Sequence, residues 1–238
     1  MNLNKISEYR NDILVREYYV NDFDERNGSY KEWDNNGQLI LEANYKKDEL
    51  HGHYIKYKEG KVSKDIWYSN GKIDGKYKSY WDNGNPYVEI EYEDGKMNGK
   101  FTAYYSNGSI QREGYNKEDK KNGKWKLYYE NGQIKAEENY IKGVQEGRYR
   151  IWYENGQLES EGNYIKNYLE GEFITYYKNG KLKSKGELKK FLEDGTWLEY
   201  DEKGQGVKKI YEKGKVINES PIVKKKIIKS KEKEELEL

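Results

Sequence analysis

The sequence predicts an all-β fold: an elongated, twisted, single-layer antiparallel meander of about eight tandem β-hairpin repeats, each 24 residues long. Three observations predict it. Glycines recur at Gly28, Gly52, Gly75, Gly99, Gly123, Gly147, Gly171 and Gly195, and a second series keeps the same beat: Gly37, Gly60, Gly84, Gly108, Gly132, Gly156, Gly180 and Gly204. Counted from the leading glycine as position one, positions three and six are aromatic in every unit. The composition supports nothing thicker than one sheet. Apolar residues make up 34% and charged residues 37%, with a mean hydropathy of −1.28. Such values alone suggest disorder, but Tyr 26, Trp 6 and Gly 24 beside Pro 2 are the wrong mixture for it. A fixed period of this kind is the signature of a repeat architecture, in which each hairpin is stabilised by its neighbours.

Residues 1–27 read as an N-terminal cap with at least one strand, on the strength of Ile13-Leu14-Val15 and Tyr18-Tyr19. Residues 28–217 hold the repeats. Asparagine precedes the second glycine in six of the eight units. Asn-Gly between aromatic runs predicts a two-residue type I′ turn, in which both residues take φ > 0. Strand alternation then sends positions three and six to opposite faces.

Position three reads Tyr30, Tyr54, Tyr77, Phe101, Trp125, Tyr149, Phe173 and Trp197. With Tyr105, Tyr129, Tyr153 and Tyr177 at position seven, it predicts the packed face. Ile110, Ile134, Leu158 and Leu182 are expected opposite position seven, across the turn. Small residues on the return strand, Ala136, Ser160, Gly162, Ser184 and Gly186, leave room for the rings. Position six reads Trp33, Tyr57, Tyr80, Tyr104, Tyr128, Trp152, Tyr176 and Tyr200. It predicts one ring per unit on a solvated face, among Lys126, Glu130, Lys135, Glu137, Arg150 and Glu154.

Segments after each return strand, such as residues 141–146, are expected to form loops along one long edge. The second unit is one residue short, with Glu59-Gly60 at its turn, and Pro86 follows in the third. Proline cannot donate to a ladder, so a break or bulge is expected between roughly residues 58 and 90. Residues 218–238 read as a C-terminal cap and charged tail.

The unit Gly123-Lys124-Trp125-Lys126-Leu127-Tyr128-Tyr129-Glu130-Asn131-Gly132-Gln133-Ile134, with Glu137, Tyr140 and Gly147 after it, resembles the MORN repeat. It is closer still to the bacterial variant with the G-x-aromatic-x-x-Tyr-Tyr-x-Asn-Gly-x-hydrophobic core. The resemblance runs over about residues 28–215 and is weakest in the first, second and last units. Bacterial proteins of this variant are commonly classed as YwqK-type antitoxins. That implies a non-enzymatic protein that neutralises a partner toxin by direct binding. MORN repeats have also been linked to lipid binding and to dimeric scaffolds, which implies a structural or membrane-associated alternative. Short aromatic-glycine hairpins also build carbohydrate-binding repeats.

The residues themselves narrow the chemistry. Lys+Arg 44 against Asp+Glu 43 gives a net charge of +1, with no field favouring nucleic acid or an anionic membrane. Cysteine is absent, which removes disulfides and thiolate metal sites. Residues 1–10 lack an apolar signal core, and no apolar stretch approaches membrane-spanning length, so a cytoplasmic location is expected. No phosphate-binding, dinucleotide or nucleophile-elbow motif is present. The carboxylates Glu130, Glu154, Glu137 and Glu161 recur with the repeat rather than as a catalytic pair. His51 and His53 flank Gly52 without further ligands, so neither a metal nor another cofactor is expected. The run of lysines at 224–226 beside Ile222, Val223, Ile227 and Ile228 could touch lipid but is followed by acids. The best candidate for contact with a partner protein is the position-six stripe: Tyr80, Tyr104, Tyr128, Trp152, Tyr176 and Tyr200. Aromatic residues on a charged face resemble protein-binding surfaces. The same rings could equally stack together and shield the sheet.

Overall fold

The computed structural model describes residues 2–222, and the lysine run and acidic tail lie outside them. The chain forms one antiparallel sheet in which each strand pairs with the next. The first strands are β1 (Asn4–Arg10), β2 (Ile13–Val20), β3 (Arg26–Trp33), β4 (Leu39–Lys46), β5 (Glu49–Lys58), β6 (Lys61–Ser69) and β7 (Lys72–Tyr80). Next come β8 (Pro86–Glu93), β9 (Lys96–Tyr104), β10 (Ile110–Lys117), β11 (Lys120–Tyr128) and β12 (Ile134–Ile141). β13 (Val144–Gln145) and β14 (Gly147–Trp152) are two pieces of one course and both pair with β12. β15 (Leu158–Ile165) is flanked in the same way by β16 (Tyr168–Leu169) and β17 (Gly171–Tyr176). The sheet closes with β18 (Leu182–Lys189), β19 (Leu192–Tyr200), β20 (Gly206–Glu212) and β21 (Lys215–Pro221). Among the described residues, β1 and β21 each have one free edge.

The two long edges use different turns, and the distribution corrects the sequence expectation. Type I′ turns with two positive φ angles do occur, but at the joints between units. They include Lys47-Asp48, Asn70-Gly71, Asp94-Gly95, Lys142-Gly143 and Lys166-Asn167. The expected loop at residues 141–146 is therefore a tight turn between β12 and β13. At the Asn-Gly tips, only the glycine takes positive φ, as at Gly132 (+84°). Gly132 N donates to Tyr129 O at 2.9 Å and Tyr129 N donates to Gln133 O at 2.9 Å. This is a type I turn followed by a left-handed glycine. Glu59-Gly60 is the exception, a two-residue turn with both φ positive, which accounts for the missing residue in its unit.

Asparagine serves these tips through its side chain. Asn155 Oδ1 accepts from Gln157 N at 3.1 Å, and Asn155 Nδ2 donates to Lys178 O of the next tip at 2.9 Å. Asn83 makes the same pair of bonds, to Asn85 N at 2.9 Å and Ser106 O at 2.7 Å. Asn155→Asp keeps the acceptor and removes the donor. It is expected to lower stability by about 0.5–1.5 kcal/mol, read as a shift in the thermal unfolding curve.

The extra turn residue moves every cross-strand pair near the tip. Tyr128 faces Ile134, and the register then jumps so that Leu127 faces Ala136. Ile110, Leu158 and Leu182 likewise face Tyr104, Trp152 and Tyr176, not the position-seven tyrosines. The leading glycines occupy a second irregularity. Gly123, at φ +77°, lies where four residue steps of β11 oppose two of β10. Around Pro86 the ladder does not break but shifts register between Ser79 and Tyr80, as it does at the tips of units without proline. Pro86 opens β8 opposite Tyr80, and the first residue of a strand is where proline is tolerated.

The packed face lies where position three was expected. Phe101, Trp125 and Trp197 are buried, Trp125 to 2% exposure, and Val88, Ile90 and Tyr140 pack around the first two. The Phe101 and Trp125 rings are 5.3 Å apart. A Cβ placed on Gly114 would meet Trp125 at 2.3 Å, and one on Gly186 would meet Trp197 at 2.3 Å. The indoles thus lie directly on glycine backbone. Each indole Nε1 donates to a carbonyl at 3.1 Å, Tyr115 O for Trp125 and Glu187 O for Trp197.

Candidate protein-binding site

On the opposite face, position six runs from unit to unit beside a column of carboxylates. The carboxylates are Glu42, Asp65, Glu89, Glu113, Glu137 and Glu161, each on a return strand. Basic residues of the outgoing strands meet them: Lys31–Glu42 at 3.0 Å, Lys78–Glu89 at 3.1 Å, Lys124–Glu137 at 3.8 Å and Arg148–Glu161 at 2.7 Å. Pairs this exposed contribute little each to stability. Their effect is to cover the face with alternating charge.

The position-six rings are neither free nor buried. Tyr80, Tyr104, Tyr128, Trp152, Tyr176 and Tyr200 are all half-buried. Because Ile134, Leu158 and Leu182 sit directly opposite Tyr128, Trp152 and Tyr176, the stripe is two side chains wide rather than one. Some hydroxyls are already engaged. Tyr128 Oη donates to Glu113 Oε1 at 2.6 Å, and Tyr57 Oη donates to Glu42 Oε2 at 2.7 Å. Burial and the Glu42 bond push the Tyr57 phenol up to about 12, and burial with the Glu113 bond also raises that of Tyr128. In return, the Tyr57 hydroxyl and Lys31 hold the Glu42 carboxyl below its ordinary value.

The backbone under the stripe is held by the position-seven tyrosines. Tyr105 Oη donates to Tyr128 O at 2.8 Å, Tyr129 Oη to Trp152 O at 2.8 Å, Tyr153 Oη to Tyr176 O at 2.9 Å and Tyr177 Oη to Tyr200 O at 2.7 Å. Trp81 Nε1 does the same for Tyr104 O at 3.3 Å. Position seven thus serves the tip edge and not only the packed face. A surface fixed in this way loses less conformational freedom when a partner binds.

Arg150 is the residue that sequence reasoning did not single out. It lies between Glu137 and Glu161 in the cross-strand register. Both carboxylates are already matched, by Lys124 and Arg148. Arg150 Nε is the one buried side-chain nitrogen or oxygen without a hydrogen-bond partner among the described residues. Its guanidinium carbon stands 5.9 Å from the Trp152 ring centre. The only signal in the sequence was an arginine two residues before a stripe tryptophan, which repeats in no other unit. His53 bonds the Asp65 carboxylate and stacks on Trp67 with ring centres 5.0 Å apart.

A single sheet of tandem hairpins, one ring column packed on small residues and another on a charged face, defines a tandem β-hairpin repeat protein. Six segments, residues 26–47, 73–94, 97–116, 121–142, 145–166 and 169–190, match the MORN repeat variant. Together they make up more than half of the chain, and the chain belongs to that family, whose repeats are of a non-catalytic type. None of the curated proteins matches the chain. The unmatched stretches include the short unit with Glu59-Gly60 and everything after residue 190, yet β5 and β6 and β19 and β20 still pair as hairpins there.

Proposed function

We propose that this chain is a non-enzymatic protein-binding repeat that neutralises a partner toxin by direct contact, with the partner lying across the position-six stripe. The repeat family supports the binding role, and the antitoxin role rests on the resemblance of the unit. The observation that carries the surface is Arg150. A guanidinium whose Nε has no hydrogen-bond partner in the fold, 5.9 Å from the Trp152 ring centre, combines the residue types that dominate interface energetics. Its planar fork suits a carboxylate brought by the partner.

The test is co-purification from the native cell followed by affinity measurement on Tyr128→Ala/Trp152→Ala. The double variant is expected to weaken the complex by about a hundredfold, as two central aromatic anchors are lost, while the circular dichroism of the sheet persists. Unchanged affinity in the folded double variant would remove the stripe from the interface.

A further inference from the structure

The edge carrying the type I′ turns changes character along its length. The residues flanking each turn face each other across it and so share one side of the sheet. In the first four units these pairs are Lys46–Glu49, Ser69–Lys72, Glu93–Lys96 and Lys117–Lys120. The next two are Ile141–Val144 and Ile165–Tyr168, and Leu192 follows opposite Lys189. Glu212–Lys215 then restores charge. Ile141, Ile165, Tyr168 and Leu192 are 58%, 48%, 46% and 49% exposed. One structural position is therefore polar in four units, apolar in three and polar again. Hairpin packing does not require this, since the other units fold without it.

The last turn of this strip is strained. Phe191 takes φ +70° where the neighbouring turns place Gly95, Asp119, Gly143, Asn167 and Gly214. A left-handed conformation is an outlier for a bulky aromatic. The ring is nevertheless 48% exposed, 5.8 Å from Tyr168 and 6.2 Å from Tyr164. Strain that exposes an aromatic ring is expected where the ring meets something outside the chain.

Lysines rim the strip. Lys142, Lys166, Lys190 and Lys213 each begin a turn and are exposed. The adjacent carboxylates are occupied: Glu146 Oε2 accepts from Lys166 N at 2.9 Å and Glu170 Oε2 from Lys190 N at 2.9 Å. Glu146 and Glu170 keep their negative charge in these bonds. None of the four lysine ammonium groups, one per repeat, forms an ion pair among the described residues, so each is open to a carboxylate from outside the chain. Two strands at ~4.8 Å set that spacing at ~10 Å, close to the ~10.5 Å between helical positions i and i+7. Three units span ~30 Å, the length of about 20 helical residues.

We propose that residues 141–192 of this edge form a docking strip for an acidic amphipathic α-helix of a partner protein. The helix lays apolar side chains on Ile141, Ile165, Tyr168, Phe191 and Leu192 and pairs carboxylates with the turn lysines. This surface is separate from the position-six stripe and stands without it. A bilayer is the poorer occupant. The strip is bounded by charged pairs at both ends, Lys117–Lys120 and Glu212–Lys215, so its apolar length matches one helix and does not continue as a membrane-facing surface.

The probe is a fluorescein-labelled synthetic helix of about 20 residues with leucine on one face and glutamate on its flanks. Fluorescence polarisation should show saturable binding, weakened about tenfold or more by Phe191→Gly and by Tyr168→Lys. Phe191→Gly should also raise the unfolding midpoint by about 2–4 °C as the strain is relieved. Three outcomes overturn the proposal: equal binding of a scrambled peptide, unchanged affinity in both variants, or binding only to phosphatidylserine vesicles.

Discussion

Gly114→Ala is expected to lower the stability of the central units by about 1–3 kcal/mol, the cost of forcing extra volume into a packed site. The added methyl would lie 2.3 Å from Cδ2, 2.5 Å from Cε2 and 2.6 Å from Cγ of Trp125. The indole cannot retreat, being 2% exposed, tied through Nε1 to Tyr115 O and packed at a tilt against Phe101. The same sheet shows how the clash is avoided. Ala43 faces Tyr54, and Ile90 faces Phe101, so a smaller ring accepts a larger partner across the strand. In a Trp125→Phe background, Gly114→Ala should therefore cost about 1 kcal/mol less than in the native chain. Urea unfolding of the four-member cycle measures this, and simple additivity would mean that ring and glycine are not coupled.

Raising the pH above about 10 is expected to unfold the sheet steeply, because the fold rests on neutral tyrosines. Burial, with help from neighbouring carboxylates, pushes Tyr30, Tyr57 and Tyr149 up to about 12 and raises Tyr128 and Tyr140 as well. An unfolded tyrosine ionises near 10. The native state thus holds these protons more tightly, and their stabilisation is intact below about pH 10. It is lost as the pH climbs through the folded values. The melting midpoint should fall by about 10 °C or more between about pH 9 and pH 11, with tyrosinate absorbance rising in the same transition. Glu42 works in the other direction. Its lowered value adds stability above about pH 4.3 that fades in stronger acid. A midpoint insensitive to alkali, with tyrosines titrating before unfolding, would contradict the packing described.

The repeat, its length and its packed face were legible because glycine and ring positions are periodic and strand alternation converts period into face. Trp125 and Trp197 over Gly114 and Gly186 are large-small pairs visible in the sequence. What misled was one residue at the tip. Asn-Gly reads as a two-residue turn, yet Asn131 is not left-handed and Gly132 alone is. A slip of one residue sends a strand's side chains to the other face, so Ile134 and Leu158 moved from the packed face to the stripe. Composition could not reveal Arg150, since charge alone looked solvated; its isolation depends on Lys124 and Arg148 already meeting Glu137 and Glu161. Nor could it reveal the apolar edge strip, whose residues meet only once the turns at 142–143, 166–167 and 190–191 are two residues long.

The most direct measurement is calorimetric titration of the purified partner against the native chain, Arg150→Ala and Arg150→Lys. A surface centred on an unpaired guanidinium over Trp152 predicts that both variants bind about tenfold or more weakly, because lysine keeps the charge but lacks the fork. Their unfolding midpoints should stay within about 2 °C of the native value, since the buried Nε of Arg150 has no hydrogen bond in the fold to lose. Wild-type affinity in a folded Arg150→Ala would contradict the assignment and return the stripe to a purely structural role.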